Sequence, residues 1–190
     1  MNIRHFIIGL AMVIIAQAVG AVNVSSIAEY EKLADETEVT FTCKLTVLGH
    51  KGRKLFVTDG KRGAMLYGVF SKTYSFGDVF REGLSATKAT LDMAPELIKV
   101  NETTLKVVAT GTDVTPEKMN IEDIGVHDVY KYVSVTGYFN GETGTLKSGK
   151  NKLLLMNIFG AQMPTTNGRE SIKGVLVYHM KREVMQVFVL

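Results

Sequence analysis

The chain of 190 residues has no tryptophan, one cysteine and three prolines, and its formal net charge is only +3. Each scarcity closes a route. With Cys43 alone, no intramolecular disulfide can form, so stability has to come from packing even in an oxidising compartment. The near balance of charge predicts no global attraction to nucleic acid or to an acidic membrane, and any such binding would need a local patch. Past the leader, histidine is limited to His50, His127 and His179, far apart and without metal-ligand spacing, so neither a metal nor any other cofactor is expected. A Gly-x-Ser-x-Gly elbow and a phosphate-binding loop are both missing. Cys43 falls on the apolar face of a strand pattern, a poor place for a nucleophile. The expected function is therefore non-enzymatic.

Long apolar runs are also scarce, apart from Phe6 to Ala16 behind Arg4, with small residues at Ala16-Gln17-Ala18 and Ala21. This reads as an export signal over residues 1–21, cleaved after Ala18 or Ala21. The run is shorter than the roughly 20 residues of a spanning helix. A secreted or periplasmic protein with no membrane span after cleavage is expected. The roughly 170 residues that remain suit one large domain or two small ones.

What the chain does have is an echo at an offset of 94 residues. Ser26, Ile27, Glu29 and Tyr30 are matched by Asn120, Ile121, Asp123 and Ile124. Val39, Phe41, Thr42, Cys43 and Leu45 are matched by Val133, Val135, Thr136, Gly137 and Phe139. The pattern is a capped helical turn followed by a strand start. Ser26 with Glu29 has the spacing of a capping box, opening a short helix over Ile27 to Leu33. From Glu38 the period becomes two, with Val39, Phe41, Cys43, Leu45 and Val47 on one face of a long strand. The stretch Leu48 to Lys54 supplies a cationic turn leading into a strand at Leu55 to Thr58, another follows at Ala64 to Tyr67, and further strands are expected near Leu84 to Leu91 and at Glu96 to Val100. The second unit offers a helical turn at Ile121 to Ile124 and a strand at Tyr132 to Phe139. A loop from Gly141 to Asn151 follows, then strands at Leu153 to Ile158, Ile172 to Tyr178 and Met185 to Val189. Gly83 and Gly174 stand before the last hairpin of each unit. Asn101 to Pro116 is the expected connection, with Leu105 to Ala109 apolar enough to pack as a strand. The domains expected are 22–112 and 113–190.

These elements give a mainly β protein of two small Greek-key barrels in tandem, each preceded by a short helix. Ser26-Ile27-Ala28-Glu29-Tyr30, Glu38-Val39-Thr40-Phe41-Thr42, Leu55-Phe56-Val57-Thr58-Asp59-Gly60, Gly77-Asp78-Val79 and Pro95-Glu96-Leu97-Ile98 carry a resemblance. The chain resembles the tandem modules of the oligonucleotide/oligosaccharide-binding, or OB, type in secreted proteins of Gram-negative bacteria. The resemblance implies binding without chemistry, in a groove over the second and third strands flanked by loops. It also implies a bend through glycine in the first strand, a place that Gly137 fills and Cys43 does not.

Candidate ligand residues lie at the first hairpin of each unit: Lys51, Arg53 and Lys54, joined by Lys61 and Arg62, and Lys147, Lys150 and Lys152. Phosphate neutralisation by such cations, with bases stacked on rings such as Phe56 and Tyr67, would hold a single strand. The plainer reading is that the lysines solvate hairpin tips and deter edge-to-edge pairing, with Phe56 and Tyr67 packed internally. The aromatic stretch Phe70, Tyr74, Phe76 and Phe80 is likewise expected to plug a barrel end. The function expected is an exported binding or adaptor protein facing a protein or glycan at the cell envelope. Weak binding of single-stranded nucleic acid through the basic hairpins is the alternative.

Overall fold

The computed structural model describes residues 20–91 and 93–190. The export signal expected over residues 1–21 lies outside these, except for Gly20 and Ala21. The fold is mainly β, with one closed five-stranded barrel and one large curled sheet.

The curled sheet runs from β1 (Val22–Val24) through β2 (Glu38–Phe41), β3 (Leu45–Lys51), β4 (Lys54–Thr58) and β5 (Gly63–Tyr67). It continues with β6 (Val79–Phe80), β7 (Ser85–Leu91), β8 (Ala94–Ile98) and β9 (Val107–Ala109). Its nine strands pair in the order β1-β2-β7-β8-β5-β4-β3-β6-β9. β2 and β3 stand far apart in that order, yet only Thr42, Cys43 and Lys44 separate them in the chain, so the sheet has to curl. The alternation read from the sequence holds across this break. Val39, Phe41, Leu45 and Val47 are fully buried and Cys43 packs half-buried against the same core, which also takes Leu55, Val57, Leu66 and Phe80.

The short helix forms a single turn, α1 (Ile27–Tyr30), rather than reaching Leu33. The hydroxyl of Ser26 accepts from the Glu29 amide, as a capping box requires, but the Glu29 carboxylate accepts from Ser25 instead of the cap residue. A second anchor comes from the turn after β4, where Asp59 accepts from the Ile27 amide at 2.8 Å and from the amides of Lys61 and Arg62.

β10 (Glu117–Met119) adds in parallel beside the barrel, which is built from β11 (Tyr132–Asn140), β12 (Thr145–Ser148), β13 (Asn151–Met156), β14 (Gly168–His179) and β15 (Val184–Val189). The strand order is β10-β11-β12-β13-β15-β14, and β14 pairs back onto β11 to close the barrel around Val133, Val135, Leu146, Leu153 and Leu176. Two expectations are corrected here. Gly141 to Asn151 is not one loop, because β12 lies inside it between tight turns, where Gly144 and Gly149 take positive φ. Gly174 does not stand before a hairpin. It sits within β14 between Val133 and Val189, where a Cβ would clash with the Phe188 carbonyl oxygen. The helical turn expected at Ile121 to Ile124 is a 3-10 turn over Ile121–Asp123.

β11 changes partners at Gly137: before it the strand is flanked by β10 and β14, after it by β12 and β14. A Cβ at Gly137 would lie 2.6 Å from the Lys147 carbonyl oxygen, so glycine is what lets β12 approach so closely.

Barrel and curled sheet share a third core. Leu48, Phe56 and Met65 from the outer side of β3, β4 and β5 pack with Val129, Tyr130, Val175 and Phe188. Phe56 stands edge-on to Tyr130, Phe159 and Phe188, each with ring centroids 5.8 Å away, a preferred aromatic geometry. Tyr130 holds a left-handed backbone (φ 68), donates its amide to Leu176 and its hydroxyl to Glu96, and presents its carbonyl where a Cβ at Gly63 would clash with it. Gly63 therefore permits direct backbone contact between the two halves.

Candidate ligand-binding face

The alternation of β11 sends Val133, Val135 and Phe139 inward and Ser134, Thr136 and Tyr138 outward. Strand register then lines up four side chains across the outer face of the barrel. Arg169 of β14 is opposite Tyr138 of β11, Tyr138 is opposite Lys147 of β12, and Lys147 is opposite Lys152 of β13. With strands about 4.8 Å apart, the row is roughly 14 Å long. All four side chains are exposed, and Tyr138, at 56%, is among the most exposed large apolar residues described. Lys147 directly opposite Lys152 is a like-charge pair that costs stability unless an anion lies between or over them.

Beside the row is a depression of about 490 Å³. Its floor carries the hydroxyls of Ser134, Thr136 and Ser171, with Thr136 donating to Ser171 at 3.3 Å. Lys118 and Arg169 line it with positive charge, and Glu122, bonded to the Ser148 hydroxyl, lines it with negative charge. The arrangement supplies donors, acceptors and one exposed ring to an extended polar ligand.

The residues expected at the first hairpin are dispersed. Lys51 and Lys54 face each other across the β3–β4 turn. Arg53 lies 4.7 Å over the Tyr67 ring, so that ring is already occupied by a cation. Arg62 is held by Glu31 through two hydrogen bonds of 3.1 and 2.7 Å, which neutralises it on the other side of the turn. Phe56 is fully buried in the shared core and is out of reach of any surface ligand. Lys61 and Lys150 are exposed at turn tips.

At the second hairpin, Lys147 and Lys152 do come together, but with partners that composition did not single out. Tyr138 and Arg169 had one available signal, their position on the outward parity of strands whose inward residues are apolar.

Cys43, His50 and Asp128 are engaged elsewhere. Burial, then the charge of Asp59, pushes the Cys43 thiol upward and away from thiolate character. His50 accepts from the Tyr74 amide through Nδ1 at 3.1 Å and meets the Gly52 carbonyl through Nε2 at 3.0 Å, which fixes the ring between hairpin and loop. Burial alone would raise the Asp128 carboxyl, but the Gly125 amide and the Lys131 ammonium at 3.0 Å outweigh it and hold the carboxyl below its usual range. Among the described residues, no three His, Cys, Asp or Glu side chains gather as a metal would need. No family model, no curated protein and no solved structure matches this chain.

Proposed function

We propose that this is an exported, non-enzymatic binding or adaptor protein made of two OB-like barrels in tandem, holding an extended polar ligand on the outer face of the second. The observation that carries the reading is the row Arg169–Tyr138–Lys147–Lys152 beside a hydroxyl-floored depression.

Strand order supports the OB-like part. β11-β12-β13-β15-β14 closes on itself with β13 and β15 parallel, a five-stranded Greek key. The curled sheet runs β3-β4-β5-β8-β7-β2 with β5 and β8 parallel, the same order once β2 and β3 count as halves of one bent strand. The echo at 94 residues supports the tandem part. Ser26 and Asn120 both occupy N-cap positions, Ile27 and Ile121 are both buried, and Val39 and Val133 each pair in parallel with a short preceding strand. Export rests on the leader pattern of residues 1–21. Among the described residues no helix is long and apolar enough to cross a membrane.

The test is binding of the purified protein to a panel of glycans, envelope proteins and single-stranded DNA and RNA at low and physiological salt. Saturable binding that drops at least tenfold in Tyr138→Ala and in Arg169→Ala is expected; binding unchanged by both would sink the assignment of this face.

Exposure of Tyr138 among three cations favours single-stranded nucleic acid as a second reading, since base stacking plus phosphate neutralisation uses that combination. It predicts affinity that falls steeply with salt and a slope lessened by Lys147→Ala with Lys152→Ala. Retention of binding in these variants and in Lys51→Ala, Arg53→Ala and Lys54→Ala would exclude the basic hairpins.

A further inference from the structure

A second site, separate from the row, lies where the curled sheet meets the barrel. A cleft of about 410 Å³ is bounded by Lys54 of β4 on one side and by Tyr178, His179 and Lys181 of the β14–β15 hairpin on the other, with Gln186 and Phe188 of β15 lining it as well. Gln186 is 3% exposed, and its Nε2 has no hydrogen-bond partner. Its cross-strand neighbours, Val177 and Leu154, are both apolar. A buried donor left unmade in such surroundings is costly.

Lys54 and Lys181 are both exposed and have no carboxylate within ion-pair distance among the described residues, and no acidic side chain lines the cleft. Nearby charges add to the same sign: Lys51 faces Lys54 across the turn, and Arg182 follows Lys181, with exposed Glu183 the one acid in that turn. Two ammonium groups and an unpaired amide nitrogen are all donors, and what satisfies a set of donors is an oxyanion.

We infer that this junctional cleft binds a phosphate group, free or as the headgroup of a larger molecule, between Lys54 and Lys181 with Gln186 donating from below. Since the two lysines belong to different halves of the protein, a bound phosphate also ties those halves together.

The experiment is thermal unfolding of the purified protein in inorganic phosphate against sodium chloride of equal ionic strength, with proton–nitrogen spectra reading the Gln186 side-chain amide. A saturating rise in Tm with phosphate is expected, together with a shift of the Gln186 NH₂ pair. Lys54→Gln with Lys181→Gln should weaken the apparent affinity at least tenfold. Gln186→Leu should raise Tm in phosphate-free buffer and abolish the phosphate increment. A rise no larger than that in chloride, a rise retained in the double lysine variant, or Gln186 signals unmoved by phosphate would each overturn the site. If Gln186→Leu fails to fold, the exposed lysine variants decide. Co-sedimentation with phosphatidylglycerol vesicles but not phosphatidylcholine vesicles, competed by phosphate, assigns the group to a lipid headgroup; a phosphate effect without vesicle binding assigns it to the free ion. Tyr138→Ala and Arg169→Ala leave the phosphate effect unchanged, which separates this site from the row.

Discussion

The outer faces of the curled sheet and of the barrel meet different fates. In the curled sheet, the outer side of β4 and β5 carries Phe56 and Met65 and is covered by Tyr130, Val175 and Phe188 of the other half. In the barrel, the outer side of β11, β12 and β13 carries Tyr138, Lys147 and Lys152 and is open. One apolar aromatic against one polar aromatic flanked by cations accounts for the contrast. The first is removed from water by the neighbouring half, while burying the second would leave charges without partners. The outer side of β4 and β5 is thus filled from within the protein, whereas that of β11, β12 and β13 stays exposed.

This contrast can be broken most forcefully at Phe56. Truncation to Ala removes a ring touching three others, and a loss of about 3–5 kcal/mol is expected in urea unfolding, against a change within about 0.5 kcal/mol for exposed Tyr138→Ala. Comparable losses at the two positions would erase the distinction. Next comes Gly63→Ala, which sets a methyl against the Tyr130 carbonyl where no flexible side chain can yield. An overpacking cost of about 3 kcal/mol is expected, and a neutral result would show that the halves do not touch there.

A smaller effect concerns acid. The carboxyl of Asp128 is held below its unfolded range, so the stabilisation it gives is present above about pH 4 and is lost as pH falls through the lower folded value. The stability of Asp128→Asn should therefore be reduced at neutral pH and should fall less on acidification than that of the wild type. Identical acid limbs in the two proteins would contradict this account of the segment entering β11. Lys131 has the opposite sign: burial works against its charge, but Asp128 and Glu117 hold its pKa above the usual value, so its contribution is lost only when pH rises through that value.

The smallest change is expected at the Arg62–Glu31 pair, only partly shielded from solvent. A double-mutant cycle should return about 0.5–1 kcal/mol, lowered by salt. A larger, salt-insensitive value would mean that this corner is structurally central.

Much of the fold was legible because alternation survives wherever one face is buried. β2 and β11 were readable for that reason; β4, β5 and β15 were readable instead as short apolar runs bounded by turns, buried on both faces, and apolar Leu105 to Ala109 does include a paired strand, β9. β12 was hidden because four residues between glycines, with Lys147 exposed and polar Ser148 next to it, look like loop. The extension of β14 back to Gly168 was hidden because Arg169 and Ser171 face solvent and only their partners in β11 reveal the pairing. At the site, Lys147 and Lys152 were visible as charge, whereas their alignment with Tyr138 and Arg169 depends on register between strands distant in sequence. Phe56 was read as a choice between stacking platform and core; a local pattern cannot tell an outward aromatic that meets water from one that meets another half of the same chain.

The most direct test of the account is hydroxyl-radical footprinting of the native protein, read residue by residue by mass spectrometry. Rapid modification of Tyr138 with Phe56 protected until the protein unfolds is the predicted result. Modification of Phe56 at a rate comparable to Tyr138 would show that the outer face of β4 and β5 is open, contradicting the claim that the protein covers that face itself and leaves the one carrying Tyr138 exposed.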